Sequence, residues 1–323
     1  MPHRAKIQTV SAVIPTRTRF RLLQRAVSSA LAQSHPPVEV IVVIDGPDSE
    51  TEEGLAKMGD SRVRVIALDN SVGAAEARNV GVRQASGEWI AFLDDDDEWL
   101  PNKLYRQLAA IEGSSDGLPV VASKVLARNG HRDDIWPLTP PSKPYSEYLL
   151  VRRRLRFGEG IMQTSTLMAK RELLTQVPFR AGLRKHQDWD WILRCTEVET
   201  FRVVFVEEAL AIWHLDENRV RVSRQDDWRV SLAWIRNVRH LVTKRAYASF
   251  LSSYVSRQAA AAGAWKSAYA LASEMVQEGQ PVVRDFVLLI LPWLLPANML
   301  QFIRSAVNRH SPTDTPPLVG KEI

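Results

Sequence analysis

Four consecutive acids, Asp94 to Asp97, follow the apolar run from Trp89 to Leu93 in GEWIAFLDDDDEWLP. Carboxylates this close repel one another at neutral pH, and a divalent cation is the usual partner that makes such a cluster tolerable. Their place at the end of a buried strand matters as much, because ligands of open α/β sheets bind just outside the carboxyl ends of the strands. A calcium loop is excluded, since it needs acids at alternate positions and then Gly, whereas Trp99 follows Glu98. The plainer account is a solvated turn in which Asp96 or Asp97 caps the helix that Pro101 opens. Other acids stand at similar places. Asp45 ends the β-branched run from Val38 to Ile44, where a simple Asp-Gly turn is the alternative. Asp188 and Asp190 sit at the start of a helix in KHQDWDWILRC, where the positive helix end favours both whatever their role. His214 closes a later strand, and a lone His is more often structural than a ligand. Donors that could meet a nucleotide are Thr16, Arg17 and Arg19 in PTRTR, and Arg78 and Asn79 in GAAEARNVGVRQA.

These residues need a scaffold, and the apolar periodicity supplies one. Strands are predicted at 10–14, 38–44, 63–68, 89–93 and 120–126, with helices at 20–33, 50–58, 73–85 and 100–111 between them. Right-handed crossovers then bring the strand ends, with their acids and donors, to one edge. No GxGxxG or GxxxxGK is present, so no glycine cradle holds phosphates, and a metal would take over that task. Small residues at Gly73, Ala74, Ala77 and Gly81 let their helix lie close to the sheet or a ligand. The stretch 128–143, rich in Pro, reads as a long surface loop. Arg152, Arg153, Arg154 and Arg156 form a basic run suited to an anionic acceptor. Further strands are expected at 164–169, 202–206 and 209–213, and a short helix at 170–176.

With 323 residues the chain can bury a substantial core, in one large domain or two. A balance of 42 Lys plus Arg against 37 Asp plus Glu, net +5, suits anionic small molecules or an anionic membrane surface. Nucleic acid is not expected as a partner, because the basic residues are dispersed and no recognition motif is present. The single cysteine, Cys195, excludes an internal disulfide and reads as core, and MPHRAKIQTV has no apolar signal region, so a cytoplasmic protein is expected.

In order, the segments SAVIPTRTR, VVIDGPDSET, DNSVGAAEARNVGVRQASGEWIAFLDDDDEWLPNKL, HQDWDWILR and WHLDENR resemble the inverting family 2 glycosyltransferases of GT-A fold, over residues 10–223. The resemblance implies an α/β fold, Rossmann-like and of the nucleotide-diphospho-sugar transferase type. It implies that Asp45 contacts the base of a nucleotide-sugar donor, that Pro15, Thr16 and Arg17 line the same pocket, and that Arg78 lies near the nucleotide. Asp94 or Asp95 would reach the ribose and diphosphate, Asp96 would bind Mg2+ or Mn2+, and His214 would reach the metal or the diphosphate. Asp97 lies past this motif and is expected to matter less. Asp188 matches the general base, and Asp190, two residues on, should face elsewhere. Ile44, Arg17 and Gln187 depart from the pattern, since many relatives carry Asp, Tyr and Glu there.

The implied function is metal-dependent, inverting transfer of a sugar to a hydroxyl of a glycan or lipid-linked acceptor, in bacterial cell-surface polysaccharide or glycolipid synthesis. Two other functions compete with it. A nucleotidyltransferase of the same superfold would carry a Gly-rich N-terminal loop, which PTRTRF lacks, and a catalytically silent binding protein would need no base at Asp188.

A predominantly α-helical C-terminal extension is expected, with helical spacing at 228–241, 246–262 and 265–277. The division expected is a catalytic domain at 1–222, a helical region at 223–310 and a disordered tail at 311–323. FVLLILPWLL, 286–295, is too short to span a bilayer, which takes about 20 apolar residues. Within 282–308 it is read either as a peripheral membrane contact on the inner face of the cell membrane or as a helix buried against its neighbours.

Overall fold

The computed structural model describes residues 8–112, 117–130, 133–153, 158–215 and 227–295. Its first part alternates strand and helix as the apolar spacing predicts: β1 (Val10–Thr16), α1 (Phe20–Leu31), β2 (Glu39–Ile44), α2 (Ser49–Met58), β3 (Val63–Ala67), α3 (Ala74–Gln84) and β4 (Trp89–Phe92). The four strands are parallel, in the order β3-β2-β1-β4. All of β1, β2 and β4 is buried, as central strands covered on both faces must be. Alternation divides their side chains between two cores. Ala12, Ile14 and Val42 pack with Leu23 and Val27 of α1, whereas Val13, Val43 and Phe92 pack on the side of α3. Gly81 allows that second contact, because a Cβ there would lie 2.4 Å from Cγ1 of Val13.

The chain continues through β5 (Asp97–Trp99), α4 (Lys103–Ala109), β6 (Leu118–Arg128), β7 (Asp133–Trp136), α5 (Tyr145–Leu150), β8 (Met168–Lys170), α6 (Arg171–Gln176), α7 (Gln187–Cys195) and β9 (Phe201–His214). The sheet extends from β4 as β8-β6-β9-β5, with β7 on β6. The pairs β4–β8, β8–β6 and β9–β5 are antiparallel, and β6–β9 is parallel.

Several elements differ from expectation, each for a local reason. The acidic turn leads into β5, so neither Asp96 nor Asp97 caps α4, whose N-cap residue is Asn102. The expected loop contains β7, four residues paired with the end of β6. The expected strand at 164–169 begins as a 3-10 turn, Thr164–Thr166, in which Thr164 and Ser165 turn aside to bond Asp188 and Asp97. The two strands expected at 202–206 and 209–213 are one, β9. Its register jumps from Val206 opposite Ser123 to Ala209 opposite Lys124, and exposed Glu207 and Glu208 bulge out between.

The C-terminal part is helical as expected: α8 (Trp228–Asn237), α9 (Lys244–Phe250), a π turn (Leu251–Val255), α10 (Ser256–Ala261), α11 (Ala268–Glu278) and α12 (Val283–Leu294). Trp234, Phe250, Leu271 and Leu289 join the same core as Phe92, Phe179 and Trp191. The boundary expected at 222/223, Arg154 and Arg156 of the basic run, the end of WHLDENR, 296–310 and the tail 311–323 lie outside the described residues. The apolar stretch is divided between two faces of α12. Asp285, Leu289 and Trp293 are buried, while Val283, Val287, Ile290 and Leu294 are 82, 53, 48 and 72% exposed. Among the described residues no helix is long and apolar enough to cross a membrane.

Candidate active site

The parallel sheet delivers Pro15, Thr16, Arg17 and Asp45 to one edge, as the sequence predicts. Pro15 is buried in β1 opposite Val43, and the amide of Asp45 donates to the carbonyl of Thr16 (2.8 Å). The Asp45 carboxylate accepts from the amides of Val72 (2.6 Å) and Gly73 (3.1 Å) and from the Ser71 hydroxyl (2.8 Å). Arg17, exposed, donates to the same Ser71 hydroxyl (3.0 Å). Asp45 therefore pins the loop before α3 beside the Arg17 side chain.

The acids after β4 point in different directions. Asp94 accepts from Nη2 of Arg78 (2.5 Å). Asp95, buried, accepts from the Thr16 hydroxyl (2.8 Å) and from Arg19 (3.4 Å), which also reaches Asp96 (3.3 Å). Pairing of Asp97 with Trp213 in the β5–β9 ladder turns Asp97 inward, where it is fully buried. Oδ2 of Asp97 accepts from the hydroxyl of Ser165 (2.6 Å) and from Gln163, while its Oδ1 is buried with no hydrogen-bond partner. Burial, reinforced by Asp96 and Asp94, pushes the Asp97 carboxyl well up. Burial also raises Asp95, against the opposing pull of Arg19 and Thr16.

One carboxylate oxygen from each of Asp94, Asp96 and Asp97 lies within 4.8 Å of the others. Three convergent hard oxygens, one residue carrying an unsatisfied buried atom, fit a Mg2+- or Mn2+-sized cation. Of the metal ligands that the resemblance implies, Asp96 belongs to this group, and Asp94 and Asp97 complete it. His214 follows Trp213 and comes beside this turn, where its Nε2 shares a hydrogen bond with Oε1 of Glu98 (2.7 Å). Among the described residues, the oxygen cluster is made by the three aspartates, without His214.

On the opposite side is the start of α7. Arg78, 5% exposed, joins the two sides: Nη2 holds Asp94, and Nη1 donates to Oε1 of Gln187 (2.7 Å). Burial would lower the pKa of this guanidinium, but Asp94, Asp188 and Asp95 together raise it, so it is a fixed cation. The half-buried Asp188 accepts from the hydroxyl of Thr164 and from its amide (3.3 Å). Burial raises its pKa to about 6, with Arg78 opposing, Asp94 adding to the rise, and the Thr164 bonds opposing again. Such a carboxylate is ionised at neutral pH yet basic enough to accept a proton.

Asp190 faces elsewhere, as its position two residues on requires. It is fully buried against Arg180 (3.2 Å), Arg194 (2.9 Å) and the indole N–H of Trp234 (3.1 Å), which is a packing role. Neither acid caps α7. Its N-cap residue is His186, at φ 63°, and no side chain caps the helix. Sequence reasoning missed Gln163, Thr164 and Ser165, which serve Asp97 and Asp188. Their signal was the polar run QTST set before the apolar Leu167 to Ala169.

The profile of the Glycosyl transferase family 2 matches residues 11–177 of this chain. The amylovoran biosynthesis glycosyltransferase AmsB of Erwinia amylovora is 28% identical over 244 residues, 73% of this chain and 79% of that protein. WfgD of Escherichia coli, a UDP-Glc:alpha-D-GlcNAc-diphosphoundecaprenol beta-1,3-glucosyltransferase, is 35% identical over 100 residues, 31% of this chain and 40% of that protein. Among solved structures, residues 1–349 of S. aureus TarS in complex with UDP-GlcNAc superpose with a TM-score of 0.57 at 20% identity, covering 76% of this chain and 72% of that one. At that identity the likeness establishes the fold.

Proposed function

This chain belongs to glycosyl transferase family 2 and is a glycosyltransferase, and from that premise we propose that it moves a sugar from a nucleotide-sugar donor to a hydroxyl of a glycan or lipid-linked acceptor, with inversion at the anomeric carbon. The observation that carries the reading is the placement of Asp188. It is a carboxylate with a pKa of about 6, set across Arg78 from the acid cluster. The group made by Asp45, Arg17 and Ser71 receives the nucleoside. Asp94, Asp96 and Asp97 would hold Mg2+ or Mn2+, which would supply charge neutralisation for a diphosphate leaving group. Arg19 and Arg78 add fixed positive charge on the same side.

In the reaction the acceptor oxygen attacks the anomeric carbon as its proton passes to Asp188. The bond from that carbon to the diphosphate breaks on the opposite face, and the electron pair leaves with the nucleoside diphosphate. One displacement inverts the configuration. The likeness to AmsB and WfgD supports polysaccharide or glycolipid synthesis as the setting. The exposed stripe of α12, with Arg284 beside it, supports peripheral contact with an anionic membrane from the cytoplasmic side.

The test is a screen of nucleotide-sugars for thermal stabilisation with and without Mn2+, followed by NMR of the product formed from the best donor. Metal-dependent stabilisation by one nucleotide-sugar and an inverted anomer are expected. A retained anomer would overturn the mechanism.

A further inference from the structure

A fully buried lysine, Lys103, stands one contact away from the turn that bonds both Asp188 and the acid cluster. Thr164 and Ser165 sit side by side on that 3-10 turn, Thr164 bonding Asp188 and the Ser165 hydroxyl bonding Oδ2 of Asp97 (2.6 Å). The same hydroxyl accepts from the amide of Asp94 (3.1 Å). One short turn is thus bonded to the base and to two of the three acids of the cluster.

Two side chains fix the backbone of the turn. The indole N–H of Trp99 donates to the carbonyl oxygen of Ser165 (2.9 Å), and Nε2 of Gln107 donates to the carbonyl oxygens of Thr166 (2.7 Å) and Val121 (3.3 Å). Lys103 touches both. Its Nζ donates to Oε1 of Gln107 (2.7 Å) and lies 4.3 Å from the centre of the Trp99 ring. Lys103 and Gln107, four residues apart on α4, share the buried face of that helix, and both are 0% exposed. Lys103 brings donors only, so it claims the oxygen end of the Gln107 amide and leaves the nitrogen end to the two carbonyls, which only accept.

Packing alone would not select a lysine here. Among the described residues no carboxylate pairs with Nζ, and burial pushes its pKa well down, so the amine costs the fold a desolvation that a methionine of similar length would not. A rule of core composition broken beside a site points to a task at that site.

We propose that Lys103 is a positioning residue for the transfer reaction: through Gln107, and seated on Trp99, it fixes the Thr164–Thr166 turn and so the placement of Asp188 relative to the cation-binding acids. The inference rests on the transferase reading above and adds to it a residue buried behind the site.

The test compares the wild type with Lys103→Met, which keeps the length of the side chain and removes its donors. Hydrogen exchange of the full chain should quicken about tenfold at the amides of residues 164–167, while the melting temperature stays close to that of wild type. Affinity for Mn2+, titrated with the metal alone, should fall about tenfold, the lower end of the range for groups that orient metal ligands. At saturating Mn2+ kcat should fall as well. Gln107→Leu should reproduce these changes, and adding Lys103→Met to it should do little more, because the lysine acts through the glutamine. That double variant strands neither partner of the Lys103–Gln107 bond, and it serves if Lys103→Met alone fails to fold. Unchanged exchange at 164–167 overturns the proposal, and so does an affinity for Mn2+ equal to that of wild type. Lower stability with turnover per folded molecule kept also overturns it, being the pattern of a lysine that only packs. Binding of Mn2+ by the wild type reports on the cation site by itself, and the exchange comparison, which needs neither metal nor donor, decides the role of Lys103 if that site fails.

Discussion

Replacing Asp188 by Asn removes the basicity of the side chain and keeps its size, and the structure fixes what should follow. The Asp188 carboxyl is raised from an ordinary 3.8 to about 6, chiefly by burial. Ionisation then rises from about one tenth at pH 5 to about nine tenths at pH 7, and kcat/KM should climb over that interval and level off above it. Asp188→Asn should lose this acidic limb and lower the transfer rate by about 10² to 10⁴, the range for losing general-base assistance. Stability should move the other way. Between pH 4 and 6 the folded chain holds a proton on Asp188 that the unfolded chain has released, so the wild type loses stability as pH rises through this window. A shift of this size corresponds to about 3 kcal/mol. Asn has no such charge to bury, so Asp188→Asn should be as stable as wild type at about pH 3.5, below the unfolded pKa, and more stable at pH 7.5. Thermal melts of the metal-free protein at the two pH values, beside transfer rates from pH 5 to 8, check both. Retained turnover in Asp188→Asn, or a variant less stable than wild type at pH 7.5, would refute the assignment of the base.

Asp97→Asn, which keeps the size of a buried group, should abolish Mn2+-dependent nucleotide binding as fully as Asp96→Asn does, and calorimetry with and without EDTA measures it. Asp190→Ala should cost about 3–5 kcal/mol, because it strands Arg180 and Arg194 beside a buried gap; denaturant unfolding reads this, and turnover per folded molecule should stay near wild type. The double change Val287→Glu and Ile290→Glu on the exposed face of α12 should abolish flotation with anionic liposomes at unchanged melting temperature.

The parallel half of the fold was legible because β1, β2 and β4 are covered on both faces, which leaves continuous apolar runs broken by helical spacing. The antiparallel half was less so. β5 is three residues long, and β7 lies in a polar stretch paired only at the end of β6, so neither leaves a period to read. Within the site, Asp45, Asp96 and Asp188 could be picked out by their places at strand or helix ends. The place of Asp97 in the oxygen cluster could not, since four identical side chains in a row carry no sign of which one the β5–β9 ladder turns inward. Asp188 and Asp190 likewise share a helix end and a flanking Trp, and only the arginines and Trp234 packed against Asp190 tell them apart.

α7 serves three surfaces at once: Asp188 toward Thr164, Trp189 toward the Tyr254 ring, and Asp190 toward Trp234 of α8. This limits how the chain can be recombined. Grafting another family member's C-terminal helices onto residues 8–215 would be a tempting way to exchange acceptor preference while keeping the donor. Such a hybrid inherits a working base only if the incoming helices bring rings that hold His186 at its left-handed turn. Swaps that respect those few contacts should exchange acceptor preference cleanly, and swaps that ignore them should yield folded proteins that bind donor and turn over slowly.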